Sequence, residues 1–189
     1  MGFELAKKCA ESGASVILIS GPTVYNTDHQ NIKQINILSA DEMYNECMKY
    51  FHEMDITIMA AAIADFTPKH KSLIKIKKNN NSPIIELIPT KDVLYNLGKI
   101  KTQNQILVGF ALETNDEIEN AKSKLKKKNL DFIVLNSLND KGAGFGGSTN
   151  KVTFIDRDDT LKEYKLKPKT EVADDIIEHI IEIQKLKIK

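Results

Sequence analysis

The sequence predicts an α/β fold, a Rossmann-like parallel sheet with helices on both faces and antiparallel hairpins added to it. Three short apolar runs have the length of strands buried on both faces: 15–20 (SVILIS), 56–62 (ITIMAAA) and 105–113 (QILVGFALE). Stretches with helical periodicity lie between them, and strands that alternate with helices at this spacing form parallel βαβ units. No internal repeat or change of composition divides the chain, so we predict one domain over residues 1–189.

Helical periodicity predicts helices near both ends of the chain and between the strands. The first covers 1–13 and ends at Gly13, because glycine commonly terminates helices. Ser39 and Glu42 have capping-box spacing and open a second helix, which extends to about Met54. The remaining helices are predicted at 91–101, 117–129 and 171–184.

Further strands are predicted at 32–38 and 131–136, together with two hairpins. One hairpin pairs 75–78 with 84–88 around a turn at 79–82, and the other pairs 151–156 with 161–166. A glycine-rich loop at 141–150 separates the last parallel strand from the second hairpin.

Composition places the chain among soluble globular proteins and excludes several function classes. The formal net charge is only +1, which argues against a general nucleic-acid binder. No apolar run approaches the ~20 residues that span a bilayer, and no signal peptide opens the chain. Cys9 and Cys47 fall in helical patterns and are interpreted as free thiols. We therefore expect a cytoplasmic protein with no membrane or nucleic-acid partner.

A carboxylate and a basic segment follow the central apolar run. We expect Asp65 at the carboxyl end of that strand, where open α/β sheets bind ligands. Alone, Asp65 fits equally a group that holds a ribose hydroxyl or metal, or a helix cap. Lys75, Lys77 and Lys78 suit a polyanion, but lysines also protect edge strands from aggregation, and both interpretations stay open.

Lys124 and Lys128 are spaced i, i+4 on the helix predicted at 117–129, so their ammonium groups share one stripe. This stripe could clamp a di- or triphosphate. The spacing alone favours the simpler interpretation, a solvated lysine face, because the same helix carries further lysines.

The glycine loop formally contains G-x-G-x-x-G within 142–147, but a strand pattern follows it. A dinucleotide fingerprint requires a helix start at that point, so we interpret the segment as a surface loop or a lid. The four histidines lack metal-ligand spacing, and no Ser-His-Asp arrangement or Walker loop is present. The remaining chemistry is the positioning of charge around a phosphorylated ligand.

Motifs in order along nearly the whole chain resemble phosphopantothenate–cysteine ligase, in bacteria often the C-terminal half of a bifunctional protein. The matching motifs are Met1-Gly-Phe, Ser20-Gly-Pro22, Ala60-Ala-Ala-Ile-Ala-Asp65, Lys75-Ile-Lys-Lys78, Gly109-Phe-Ala-Leu-Glu-Thr114, Lys128-Asn-Leu-Asp131, Asn136, and Gly144-Phe145 with Asn150. The Lys-x-Lys-Lys element is typical of the bacterial type.

The resemblance implies a reaction, its substrates and its partners. The carboxylate of 4′-phosphopantothenate attacks the α-phosphorus of CTP, and the amine of L-cysteine then attacks the acyl-cytidylate. Mg2+ is expected to bridge phosphate oxygens. The resemblance also implies a homodimer and a flavin-dependent decarboxylase, fused or separate.

The resemblance further implies residue roles. Lys75 is the expected catalytic residue, which neutralises charge on the acyl-cytidylate, and Asn136 is an expected substrate contact. The other expected nucleotide contacts are Ala60, Ala61, Asp65, Lys91, Asp92, Val93, Phe110, Lys124 and Lys128. Thr90-Lys91 departs from the Asn-Pro that the family has before Asp-Ile, which weakens that contact.

In the family, about one βα unit precedes the Met-Gly-Phe motif that here occupies residues 1–3. Its strand would be central, so without it two neighbouring strand edges are expected to be exposed. We interpret the sequence as a fragment, a misplaced gene start or one half of a split protein. If the chain is complete as given, we expect weak or no ligase activity. The alternatives are a nucleotide-binding module without activity and an NAD(P)-dependent reductase.

Overall fold

A computed structural model describes residues 1–70, 72, 74–77, 84–137 and 147–187. Its helices are α1 (Gly2–Glu11), α2 (Ala40–Tyr50), α3 (Val93–Ile100), α4 (Glu117–Lys127) and α5 (Lys169–Lys187), with a 3₁₀ turn at Phe51–Glu53. Its strands are β1 (Val16–Ser20), β2 (Ile32–Asn36), β3 (Ile56–Met59), β4 (Phe66–Pro68), β5 (Leu87–Pro89), β6 (Ile106–Glu113), β7 (Phe132–Ser137), β8 (Thr149–Asn150), β9 (Val152–Asp156), β10 (Leu161–Glu163) and β11 (Lys167–Pro168).

The main sheet has the strand order β10-β9-β7-β6-β3. Strands β3, β6 and β7 are parallel, whereas β9 and β10 are antiparallel additions at one edge. The predicted α/β class with antiparallel additions is therefore confirmed. Among the described residues, no helix has the length and apolar content that crossing a bilayer requires.

Alternation along the central strands creates two cores, one on each face of the sheet. Leu107 and Ile133 point to the face covered by α2, α3 and α4. Val108 and Phe132 point to the opposite face, where α5 contributes Val172, Ile176 and Ile180. Because β6 and β7 are buried on both faces, their sequences are almost continuously apolar, as the apolar runs predicted.

The predicted capping box at the start of α2 is confirmed. Ser39 accepts a hydrogen bond from the Glu42 backbone N–H at 3.2 Å. The Glu42 carboxylate accepts one from the Ser39 hydroxyl at 3.0 Å and one from the Leu38 N–H at 2.9 Å. This cap fixes where the chain leaves β2 and begins to cross the sheet.

The predicted hairpin between 75–78 and 84–88 is wrong. The observed pair is β4 with β5, and residues 74–77 are exposed and lie outside any strand. Backbone bonds from Thr90 to Asp65 and from Lys69 to Glu86 continue the β4–β5 ladder at both ends, and they set its register. Lys78 and the turn predicted at 79–82 lie outside the described residues.

The predicted strand at 56–62 is present but shorter, and all four residues of β3 are only half-buried. Strand β1 is likewise half-buried along most of its length. In the described part of the chain β1 pairs only with β2, β3 pairs only with β6, and a cavity of about 1000 Å³ lies between them. Among the described residues, the facing edges of β1 and β3 are thus unpaired, as the resemblance led us to expect, although both strands are half-buried.

Near the amino ends of β6 and β7, a buried carboxylate connects four elements. Asp131, just before β7, accepts hydrogen bonds from the Lys101 ammonium at 2.6 Å and from the Leu107 backbone N–H at 2.7 Å. Lys187 at the end of α5 lies 2.9 Å from its second oxygen. Both side chains of the Lys101–Asp131 pair are almost fully buried, so this cluster is structural.

Candidate functional site

Several side chains and backbone groups that could contact a ligand lie at the carboxyl ends of the parallel strands or just beyond them. Ala60 and Ala61 follow β3 directly, Glu113 ends β6, and Asn136 is the penultimate residue of β7. Ligands bind outside the carboxyl ends of strands in open α/β sheets. The fold therefore places these residues at the edge where a ligand site is expected.

Asp65 is not at the end of a strand, because β3 ends at Met59 and Asp65 comes six residues later, just before β4. Asp65 is exposed and lies close to the segment before α3, since its backbone carbonyl accepts a hydrogen bond from the Thr90 N–H at 2.9 Å. The Thr90 hydroxyl donates to the Ala64 carbonyl at 2.6 Å. These two bonds join the loop after β3 to the segment that begins α3.

The resemblance gave three consecutive residues as nucleotide contacts: Lys91, Asp92 and Val93. Their environments differ. Lys91 extends to α2, where its ammonium lies 3.3 Å from Asp41 and over the ring of Tyr44. Asp92 caps α3 by accepting the Tyr95 N–H at 3.0 Å. Val93 is almost fully buried in the core, so its side chain is not available to a ligand.

Lys128, at the end of α4, forms an ion pair with Asp92, with Nζ–O distances of 2.9 and 3.1 Å. The backbones of α3 and α4 are in close contact here, because a Cβ on Gly98 would lie 1.9 Å from the Lys128 carbonyl oxygen. Asn129, in a left-handed conformation with φ 53°, ends α4 and donates to the Gly98 carbonyl at 2.8 Å. This contact holds the Lys128 backbone against the C-terminal half of α3, and the side chain extends from there to Asp92 at the start of the helix.

Lys124 forms an ion pair with Glu113 at 2.5 Å. The carboxylate is largely buried and the ammonium is about half exposed. Both lysines of the predicted stripe therefore pair with a carboxylate, Lys124 with the glutamate that ends β6 and Lys128 with the cap of α3, and neither is a freely solvated side chain. Sequence reasoning did not assign Glu113 to the site, because a glutamate that ends an apolar run also fits an ordinary strand end.

Ala60, Phe110 and Asn136 belong to the opposite side of the sheet. Ala60 and Phe110 pack against the core beneath α1 and α5. Asn136 comes two residues after Val134 on β7, so it points to the same face of the sheet as Val134, which belongs to that core. Asn136 also accepts a hydrogen bond from the Asn150 amide at 2.9 Å. Candidates for base or substrate contact thus lie on one face, and Lys124 and Lys128 lie on the other.

Asn150 was not assigned to the site from the sequence, although it formed part of the resemblance. It is buried, and its Oδ1 atom has no hydrogen-bond partner in the part of the chain that the structure describes. A buried acceptor of this kind is costly unless another group satisfies it. Only tertiary structure reveals this, since the asparagine itself is unremarkable in the sequence.

Lys75 lies in the exposed stretch 74–77. Among the described residues, the ion pairs and hydrogen bonds that join the other candidates do not include it. Its assignment as a catalytic residue therefore depends on resemblance alone. The glycine loop expected as a surface loop or lid lies largely outside the described residues, which resume at Gly147.

The site's chemistry is that of charge placement. Burial raises the pKa of the Cys47 thiol to about 11 and also raises that of Cys9, so both are protonated at neutral pH and poor nucleophiles. In the described ranges no group of three potential metal ligands occurs. A magnesium ion would therefore depend mainly on phosphate oxygens, with Asp92 and Glu113 as the nearest carboxylates to the two lysines.

Comparisons with known proteins identify the family. A "Cysteine/Cysteine sulfinic acid decarboxylase" from an unknown prokaryotic organism is 52% identical over 96% of this chain and 50% of its own length. The "Coenzyme A biosynthesis bifunctional protein CoaBC" of Borreliella burgdorferi is 44% identical over 94% of this chain and 44% of its own. The chain thus spans about half the length of these relatives.

The fold is shared with a solved structure. The crystallised C-terminal domain of a coenzyme A biosynthesis bifunctional protein CoaBC is 32% identical, with a TM-score of 0.80, over 97% of this chain and 81% of that domain. Residues 1–184 match the family described as the DNA/pantothenate metabolism flavoprotein C-terminal domain. The chain therefore belongs to this family.

Proposed function

We propose that this domain carries out the CTP-dependent joining of 4′-phosphopantothenate and L-cysteine in coenzyme A biosynthesis. Family membership supports the assignment, as do the names of relatives that are bifunctional coenzyme A biosynthesis proteins. The observation that carries it is the pairing of Lys124 with Glu113 at the carboxyl end of β6 and of Lys128 with Asp92 at the start of α3. Two ammonium groups held in this way suit a triphosphate.

The proposed reaction has two steps. The substrate carboxylate attacks the α-phosphorus of CTP, which forms an acyl-cytidylate and releases pyrophosphate. The amine of cysteine then attacks the acyl carbon, forms the amide, loses a proton and expels CMP. Each step needs alignment and charge neutralisation more than a protein nucleophile, in agreement with the protonated state of both cysteines.

The residues have separate roles in this proposal. Lys124 and Lys128 bind the β- and γ-phosphates, and bound Mg2+ would neutralise charge on the phosphate oxygens. Asp65 orients the nucleotide beside the start of α3, with backbone groups of Ala60, Ala61 and Val93 nearby. Phe110 and Asn136 contact the substrates from the other face, and Lys75 is brought in with the exposed segment that carries it.

Further features of the proposal concern the whole protein. They are a homodimer, a cytoplasmic location, and a flavin-dependent decarboxylase that is fused or separate. They rest on the resemblance and on the family name, which refers to a flavoprotein.

The direct test is pyrophosphate and CMP release with Mg2+, CTP, 4′-phosphopantothenate and L-cysteine. Stoichiometric release that requires all the substrates would support the ligase. Saturable CTP binding without turnover would indicate a binding module, and NADPH binding without CTP binding would indicate a reductase. Loss of CO2 from cysteine or cysteine sulfinic acid would instead agree with the name of the 52%-identical relative.

A further inference from the structure

Two asparagines meet at the carboxyl edge of the sheet, where the candidate site lies. Asn136 is the penultimate residue of β7, and Asn150 belongs to β8. The Asn150 amide donates a hydrogen bond to the Asn136 side-chain oxygen at 2.9 Å. Asn136 is half-buried, whereas Asn150 is only 3% exposed. Asn136 is therefore the member of the pair that a ligand can reach.

The backbone of Asn136 is held on both sides, but the strand does not fix the direction of its amide. The residue lies opposite Leu112 of β6 and Val152 of β9, so the position of its Cα is set by two ladders. The terminal torsion of an asparagine side chain is broad and roughly two-fold. A strand position alone therefore leaves open whether the oxygen or the N–H2 group faces a ligand, and the bond from Asn150 makes that choice.

The observed orientation is the better of the two that the pair can adopt. In it, the Oδ1 atom of Asn150 is buried with no hydrogen-bond partner in the described part of the chain. If both amides were turned over, the N–H2 group of Asn150 would occupy that position instead. Two buried donors would then lack partners in place of one acceptor, and orphaned N–H groups are the rarer defect. Asn150 therefore binds the oxygen of Asn136 and leaves its N–H2 group turned away from the pair.

Packing alone does not account for an asparagine at position 150. A buried amide with an unpartnered oxygen is costly, and an apolar side chain of similar size would avoid this cost. Departures of this kind from local rules are expected at functional sites. The part of the Asn150 side chain in use is its donor, and the partner of that donor is a residue of the candidate site.

We propose that Asn150 is a positioning residue that turns the N–H2 group of Asn136 toward the acyl substrate, so that Asn136 recognises a phosphate, carboxylate or carbonyl oxygen. This role rests on the proposed function and deepens it, because the resemblance gave Asn136 as a substrate contact without the polarity of that contact. 4′-Phosphopantothenate carries oxygens of all three kinds. The ammonium group of L-cysteine only donates, so it is excluded as the partner of an N–H2 group.

The test is a double-mutant cycle read by calorimetric titration with 4′-phosphopantothenate. Asn150→Leu should weaken binding about tenfold, the value of one oriented hydrogen bond, and Asn136→Ala should weaken it at least as much. The double variant should bind no more weakly than Asn136→Ala alone, because a positioning residue has no effect once the group that it positions is gone. Unchanged affinity of Asn150→Leu, or additive losses in the double variant, would overturn the proposal.

Gln105→Leu is the matched control for the loss of a buried amide. The Gln105 N–H2 group donates to the carbonyls of Phe51 and Met54 at 2.7 and 2.8 Å, just before the amino end of β6. This variant should melt at a lower temperature and bind 4′-phosphopantothenate as the wild type does. Asn150→Leu should do the reverse, with a melting temperature within about 3 °C of the wild type, because removal of the unpartnered oxygen offsets the lost bond. A large fall in melting temperature with unchanged affinity would show a structural role only and would overturn the proposal.

Pantothenate, which lacks the phosphate, identifies the oxygen that Asn136 contacts. If Asn150→Leu weakens binding of pantothenate and of 4′-phosphopantothenate equally, the oxygen belongs to the part that the two ligands share. If it weakens only 4′-phosphopantothenate, the oxygen belongs to the phosphate. Both results support a donor at Asn136.

The orientation can also be measured in the ligand-free wild type, which removes the dependence on the folding of any variant. In heteronuclear NMR of side-chain amides, the N–H2 group of Asn150 should exchange slowly with water because it is buried and bonded. That of Asn136 should exchange about tenfold faster or more. The reverse order would overturn the proposal even if the ligase is active, whereas the expected order without turnover would count against the proposed function alone.

Discussion

Asp92 has two roles that normally fall to different residues. It caps α3 through the Tyr95 N–H, and it is the counter-ion of Lys128. Because the carboxylate already accepts a backbone bond, its position is fixed before any ligand binds. Lys128 is thereby held in a defined place, and in the proposed function this would lower the entropy cost of binding a triphosphate.

We predict that Lys128→Ala raises the dissociation constant of Mg–CTP by about 10- to 100-fold, because it removes a hydrogen bond between charged groups. Isothermal titration calorimetry measures this directly. Lys127→Ala is the matched control, since Lys127 is an exposed lysine on the same helix. Equal affinity of the two variants would show that Lys128 does not contact the nucleotide.

We predict that Lys75→Gln lets acyl-cytidylate form but slows its turnover by roughly 10²-fold, the loss typical of one charge-stabilising donor. Quenched-flow analysis should then show pyrophosphate release ahead of CMP release. Lys77→Gln, two residues away in the same exposed stretch, is the control. A steady-state rate that Lys75→Gln leaves unchanged would remove the catalytic role from Lys75.

At the scale of elements, α3 and α4 are in backbone contact. Gly98 has space for no side chain, because a Cβ would lie 1.9 Å from the Lys128 carbonyl oxygen and 2.8 Å from its carbonyl carbon. These two atoms belong to the backbone at the end of α4, so they cannot rotate away as a side chain could. The helix pair must therefore separate to admit even a methyl group.

We predict that Gly98→Ala lowers the free energy of unfolding by about 1–3 kcal/mol, the usual cost of overpacking. It should also weaken CTP binding, since Lys128 moves with the helix end. Urea denaturation gives the first quantity. Gly2→Ala is the control, because an added Cβ there meets no atom within 4 Å, and a loss of stability as large as that of Gly98→Ala would contradict this account.

The limits of sequence reasoning are clearest for these same elements. The apolar pattern predicted β6 and β7 to within a residue at each end, because strands buried on both faces must be apolar throughout. It missed that Asp92 caps α3, since the helix was expected to start at Lys91. The ion pair of Asp92 with Lys128 joins residues that are distant in the sequence, and no local pattern contains it.

The predicted hairpin failed for a related physical reason. Alternation of lysine and isoleucine at 74–77 is compatible with a strand, but Ile74 and Ile76 remain exposed and so gain nothing from pairing. The observed register is instead continued by the backbone bond between Thr90 and Asp65. Resemblance supplied candidate residues, whereas the division of those residues between two faces of the sheet required the fold.

At the scale of the whole molecule, Asp131 connects the segment after α3, strand β6, strand β7 and the end of α5. Burial alone would raise the pKa of this carboxyl, but Lys101, Lys187 and the Leu107 N–H hold it below its ordinary value of 3.8. Its stabilising contribution is therefore complete above that value and is lost as the pH falls through the folded-state pKa.

We predict that Asp131→Asn costs about 3–5 kcal/mol at neutral pH, because it leaves the buried Lys101 ammonium unpaired. Urea unfolding at several pH values should show that the wild type loses stability below pH 3.8 more steeply than the variant does. Asp159→Asn is the control: its pairs with Lys122 and Lys126 are more solvent-exposed, so the change should cost no more than about 1 kcal/mol. Similar losses for both variants would contradict the structural role of Asp131.

The cavity between β1 and β3 also affects how the molecule unfolds. Backbone hydrogen bonds hold β1 to β2 and unite the five strands from β10 to β3, but in the described part of the chain no strand pairing joins these two sets, which are linked by side-chain contacts such as the packing of α1 against α5 and the Lys8–Asp174 ion pair. Unfolding should therefore be only weakly cooperative between the two sets of strands. Denaturant should unfold β1 and β2 first and leave the five-stranded sheet folded, which would appear as two separate unfolding transitions.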